Sequence, residues 1–115
     1  MTRRTRPISW IRAAIKDFET FPEGARSIIL ATLTIAAEGS KADIAKPMHG
    51  MGSGVFEIAL PFRGDAYRVV YAVQLAVEIW VVHAFQKKST RRIKTPKGEV
   101  DLIKDRLKRL REMLR

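Results

Sequence analysis

The sequence contains no cysteine. That excludes a disulfide framework, a thiolate metal site and a cysteine nucleophile, and it fits a reducing compartment. Histidine is nearly missing as well. His49 and His83 stand too far apart to suggest a metal centre without help from carboxylates, so neither a metal nor a cofactor is expected. Long apolar runs are also absent: the most apolar region, Val69 to Phe85, is broken by Gln74 and Glu78. The basic amino terminus, MTRRTRPISW, lacks the apolar core of a signal peptide. These features predict a cytoplasmic protein that does not engage a membrane. No internal repeat or low-complexity block is present, and 115 residues suit one domain, 1–115, with one core.

Acidic residues are the other shortage. Lys and Arg number 22 against 12 Asp and Glu, a formal charge of +10. The imbalance is local: residues 86–115 hold twelve cations and four acids, and the first 85 residues hold ten and eight. A small body with this charge favours an anionic partner. The positive charge begins where an apolar run ends, in IWVVHAFQKKSTRRIKTP, residues 79–96. A buried strand ending at Phe85 would deliver Lys87, Lys88, Arg91, Arg92 and Lys94 to the rim of a sheet and fix where those charges stand.

Periodicity supplies the rest of the frame. Pro7 to Ile11 suits a short edge strand. Ala14, Ile15 and Phe18 give one helical face over Arg12 to Glu19. A second helix is predicted to open at Pro22, repeat through Ile28, Ile29, Leu33 and Ala36, and end at Glu38 and Gly39. Residues 40–54 carry Pro47 and glycines at 50, 52 and 54, so they read as a loop without regular structure. The glycine pattern precedes a strand and not a helix, which argues against a phosphate-binding turn. Three strands are then expected, Val55 to Leu60, Ala66 to Val73 and about Val77 to Phe85, joined as an antiparallel meander with a turn at Phe62-Arg63-Gly64-Asp65. Thr95 reads as a helix cap and Pro96 as the first residue of a helix to Arg115, with Val100, Ile103, Leu107, Leu110 and Leu114 as its apolar stripe. The fold class is α+β: a small antiparallel sheet, made of an N-terminal strand plus the meander, packed with two N-terminal helices and one C-terminal helix.

Several residues could carry chemistry. The cationic cluster is either a solvated loop or a phosphate-contacting rim, and its position at a strand end favours the rim. Arg68 stands among Tyr67, Val69, Val70 and Tyr71, where a guanidinium needs an anion facing it. That anion is either Glu57 of the preceding strand or a substrate phosphate. His83 is either a hydrogen-bonded core imidazole or a proton shuttle near the rim. Tyr67 and Tyr71 are read as facing opposite sides of the sheet, so that one, Tyr71, could stack on a base while the other packs as core. Arg63, in the turn, is a solvated cation that RNA could reach.

Gly54 to Leu110 resembles the phage-derived, HigB-type branch of the RelE toxin superfamily. The residues that carry the resemblance are Phe56-Glu57-Ile58, Tyr67-Arg68-Val69-Val70-Tyr71, His83-Ala84-Phe85-Gln86-Lys87-Lys88-Ser89 and Thr95-Pro96. The resemblance implies a RelE-like fold and a type II toxin that cuts mRNA on the ribosome by attack of a ribose 2′-OH on its neighbouring phosphate. It implies as partner a cognate antitoxin, a helix-turn-helix protein, in a hetero-oligomer. On it, Arg68 contacts the scissile phosphate with Lys87 and Lys88. Lys87 or Lys88 acts as base, with Glu57 or His83 as alternatives, and Tyr71, Arg91, Arg92, Lys94 and Arg63 bind RNA. Members of the superfamily that carry Tyr or His in the C-terminal segment differ from residues 89–115, which have neither, so the general acid is unassigned. The competing expectation is a non-catalytic basic module that binds nucleic acid or assembles with a phage protein.

Overall fold

The computed structural model describes residues 5–88 and 94–115. Its elements run β1 (Ile8–Trp10), α1 (Arg12–Phe18), α2 (Glu23–Ala37), β2 (Ala45–Pro47), β3 (Val55–Phe62), β4 (Asp65–Ala72), β5 (Ile79–Lys87) and α3 (Lys97–Met113). The architecture is α+β, as the periodicity predicts. The meander is present: β3 pairs antiparallel with β4, and β4 with β5. Arg63 and Gly64 close its first hairpin with φ of 52° and 85°, the doubly left-handed geometry of a tight hairpin turn.

Two features depart from the expected sheet. β1 pairs parallel with β5, Ile8 opposite Ile79 and Trp10 opposite Val81, so the five-stranded sheet is mixed, with order β1-β5-β4-β3-β2. The reason lies in α1 and α2, which carry the chain from β1 across one face and return it to the far edge. The second departure is β2, which falls in the loop expected to lack regular structure and pairs antiparallel with β3 as an edge strand. Only its Ala45 is buried, and an edge position tolerates Pro47.

Alternation along the strands sorts the core into two layers. On one face, Ile58, Leu60, Tyr67, Val69, Tyr71 and Val81 pack against Phe18 and Phe21 and against Ala25, Ile29 and Leu33 of α2. On the other, Val55, Val70, Ala72 and Val82 pack against Ile103, Leu107 and Leu110 of α3. Tyr67 and Tyr71 therefore share a face, contrary to expectation, because residues four apart on an unbroken strand point the same way.

The N-terminal approach is tied down from residue 6 onward. The Arg6 side chain donates to the carbonyls of Val73 at 2.6 Å, Val77 at 2.9 Å and Glu78 at 3.0 Å, clipping the β4–β5 connection to the start of the chain.

The helix starts also shift. Pro22 and Pro96 occupy N-cap positions with extended ψ of 147° and 148°, so both helices begin one residue later than expected, and neither has a side-chain cap. Thr95 thus lies outside α3, and its hydroxyl turns toward the sheet. Among the described residues no helix is long and apolar enough to cross a membrane.

Candidate active site

On the α3 side of the sheet, the strand register brings Glu57 of β3 diagonally beside Arg68 of β4. Glu57 pairs with Val70, and Arg68 pairs with Ala59 on one side and Phe85 on the other. Arg68 Nη1 donates to Glu57 Oε1 at 3.0 Å. Thr95 completes a triangle: its hydroxyl donates to Glu57 Oε2 at 2.7 Å and accepts from Arg68 Nη1 at 3.3 Å. Arg68 is only 4% exposed, and its Nε has no hydrogen-bond partner among the described residues. A buried guanidinium paired with one carboxylate keeps donor capacity that a second anion could use.

Lys87, opposite Ala66 at the end of β5, lies on the same face one register step from Arg68. Its ammonium donates to the Lys94 carbonyl at 3.0 Å, which draws the segment before α3 toward the sheet. Lys88 and Lys94 are exposed nearby in sequence, and Arg63 sits at the β3–β4 tip, over the Phe62 ring at 5.1 Å. The tip and the end of β5 fall at one end of the sheet, since β4 begins where β5 finishes. Arg91 and Arg92 lie outside the described residues.

His83 takes a different place. It is 2% exposed and faces Val70, two strand spacings from Glu57. Arg106 Nη1, which can only donate, contacts Nδ1 at 2.7 Å; Nε2 therefore carries the proton and donates to Glu99 Oε2 at 3.3 Å. Burial holds the imidazole below its usual pKa, Glu99 opposes that effect and Arg106 reinforces it. Arg106 also donates to the Val82 carbonyl at 3.1 Å. Both ring nitrogens are committed to α3, so in this arrangement His83 fastens the helix to β5.

Tyr71 is 1% exposed and stacks on Phe56 at 5.5 Å beneath the N-terminal helices. It offers no ring face to a base here, and burial pushes its hydroxyl up to about 12. The aromatic that does share the face with Arg68 is Phe85, half-buried beside a cleft of about 270 Å³ that Glu99, Gln86 and Thr20 also line. Sequence reasoning passed over Phe85 as the end of an apolar run, and it read Thr95 as a cap. The signal for Phe85 was available in the alternation of β5, which puts it on the face of His83 and Lys87; Thr95 gave none. Among the described residues no group of three His, Asp or Glu is placed to hold a metal ion.

A carboxylate, a guanidinium and a lysine gathered at a sheet rim can accept a proton and hold a phosphate. The fold that presents them is that of the RelE toxins. A mutant of the E. coli toxin RelE in the free state superposes with a TM-score of 0.60 at 18% identity, covering 91% of this chain and 96% of that one. The isolated E. coli RelE toxin gives 0.57 at 20% identity, covering 87% and 97%. The RelBE2 toxin–antitoxin complex of Mycobacterium tuberculosis gives 0.51 at 14% identity, covering 76% and 98%. No curated protein matches the sequence. The chain itself belongs to the family described as Phage derived protein Gp49-like (DUF891), whose signature matches residues 16–108.

Proposed function

We propose that this protein is the toxin of a type II toxin–antitoxin pair, of the HigB-type branch, and that it acts in the cytoplasm as a ribosome-dependent mRNA endoribonuclease. The observation that carries the reading is the juxtaposition of Glu57, Arg68 and Lys87 on one face of a RelE-like sheet. In the reaction, the ribose 2′-oxygen bonds to the adjacent phosphorus and the bond from phosphorus to the 5′-oxygen breaks. The products are a 2′,3′-cyclic phosphate and a 5′-hydroxyl. Arg68 and the lysines stabilise charge on the crowded phosphorane, where fixed donors act most strongly. Lys87 or Lys88, or in their place Glu57, takes the 2′-proton, and a rim cation or solvent protonates the departing oxygen; exchange with solvent resets both. Phe85 offers a stacking surface, and Arg63, Lys94, Arg91 and Arg92 supply backbone contacts. The ribosome contributes orientation that so small a site lacks.

The implied partner is an antitoxin, a helix-turn-helix protein with an acidic or amphipathic segment that covers the basic end. The RelBE2 relative is a toxin–antitoxin complex, which supports such a partner.

The test is induction in bacteria of the wild type beside Arg68→Ala and Lys87→Ala, with primer extension on a translated message. Growth arrest with new codon-phased 5′ ends, lost in both variants, is the expected result. A second reading, a basic module that binds RNA without cutting it, is favoured by the 4% exposure of Arg68, which suits a structural ion pair. Under that reading the message stays intact while RNA binding persists.

A further inference from the structure

The Thr95 hydroxyl sits between a carboxylate that accepts its hydrogen bond and a guanidinium that donates to its oxygen, at 2.7 and 3.3 Å. A ribose 2′-OH about to attack its own phosphate needs the same two neighbours. It requires an acceptor for its hydrogen and a cation close enough to hold the phosphate it will join. Three further observations support the parallel. Arg68 Nε is buried and unpartnered among the described residues, so the guanidinium has a donor in hand for a phosphate oxygen. The N-cap of α3 is Pro96, so Thr95 is not the helix cap. And the Lys87 contact to the Lys94 carbonyl holds the backbone next to Thr95 against the rim.

We propose that Thr95 is a built-in stand-in for the substrate hydroxyl. It closes the Glu57–Arg68 pair in the free protein and marks both the place of the attacking oxygen and the identity of its base, Glu57. The inference rests on the nuclease reading above and assigns the base that reading leaves open. Substrate entry displaces the Thr95 hydroxyl; the O2′–H bond then breaks toward Glu57 as the O2′–P bond forms. The P–O5′ bond breaks, and the 5′-oxygen takes its proton from a lysine of the rim.

The experiment compares wild type, Thr95→Ser, Thr95→Ala, Thr95→Val, Glu57→Gln and Arg68→Ala, all first checked for cooperative thermal unfolding. Two measurements are made: anisotropy titration of a short 2′-fluoro RNA, which cannot be cleaved, at fixed salt, and KM and kcat on translating ribosomes. Losing a hydrogen-bonded plug of this kind corresponds to about a tenfold change in affinity. Thr95→Ala and Thr95→Val should therefore bind the probe about tenfold tighter and lower KM alike with kcat within twofold of wild type. Thr95→Ser should match wild type, and adding Arg68→Ala should erase the gain. Glu57→Gln should keep probe binding while kcat falls about a hundredfold. Equal or weaker probe binding by Thr95→Ala and Thr95→Val overturns the proposal, as does a loss confined to kcat, and an active wild type beside them leaves the nuclease reading standing. A wild type that never cleaves, beside an Arg68-dependent gain in probe binding by Thr95→Ala, sinks the nuclease reading and the role of Glu57 as base, and keeps Thr95 as the plug of an anion site.

Discussion

The two faces of the sheet are built from the same three strands and solve different problems. Under α1 and α2 lies a dry layer in which aromatic rings meet in sequence: Trp10 with Phe18 at 4.9 Å, Phe18 with Phe21 at 5.6 Å and Phe21 with Tyr67 at 4.9 Å. Under α3, Ile103, Leu107 and Leu110 meet Val70, Ala72 and Val82. The same face also holds Glu57, Arg68, His83, Glu99 and Arg106, joined in two hydrogen-bonded groups. One face makes the protein stable, and the other spends part of its burial on charge. Burying charge rarely adds stability over an apolar replacement, so its retention on one face points to use.

That contrast can be broken at four places. Leu33→Ala, in the dry layer at 0% exposure, should lower unfolding stability by about 3 to 4 kcal/mol in a denaturant titration, while the RNA-directed properties of the protein that remains folded stay unchanged. Arg68→Ala strands a buried carboxylate and should cost on the order of 3 kcal/mol together with the loss of growth arrest. The double variant Arg68→Met, Glu57→Leu should recover most of that stability and none of the arrest, which separates the stability of the α3 face from its use.

His83→Gln removes the tie between α3 and β5 and should cost about 2 kcal/mol at pH 7.5. It also tests a pH effect with a defined sign. Because burial lowers the folded-state pKa of His83 below 6.5, the unfolded chain takes up the proton first as pH falls. The stability of the wild type is therefore complete above about pH 6.5 and declines as pH drops from there toward the lowered value. Denaturant titrations between pH 7.5 and 5 should show that decline weakened in His83→Gln. The smallest effect belongs to Lys97→Ala, whose exposed 3.0 Å pair with Asp101 should shift the unfolding midpoint by no more than about 0.5 kcal/mol.

Much of this division was legible in the chain. The 3.6-residue spacing of Ile29, Leu33 and Ala36, and of Ile103, Leu107 and Leu110, places α2 and α3 because burial rewards that period. Alternation places β3, β4 and β5, and it lets Glu57 and Arg68 be considered as a pair. The parallel partnership of β1 was not legible, since three residues carry no record of which strand they join. β2 was hidden for a related reason: one buried alanine leaves no alternation to detect. Thr95 was misread because a Thr-Pro pair satisfies a capping rule, whereas a contact across the fold has no local spacing to betray it. Tyr71 was assigned to solvent by a miscounted alternation, and its place beneath α2 follows directly once the strand is taken as unbroken.

The parallel pairing of Ile8–Trp10 with Ile79–Val81 joins the beginning of the chain to its last strand. β1 has nothing to pair with until β5, on the far side of the two helices and the meander, is in reach. Closing so long a loop is an entropic toll taken late. The edge strand β1 therefore completes the sheet late, after the local hairpins of β3, β4 and β5 have formed.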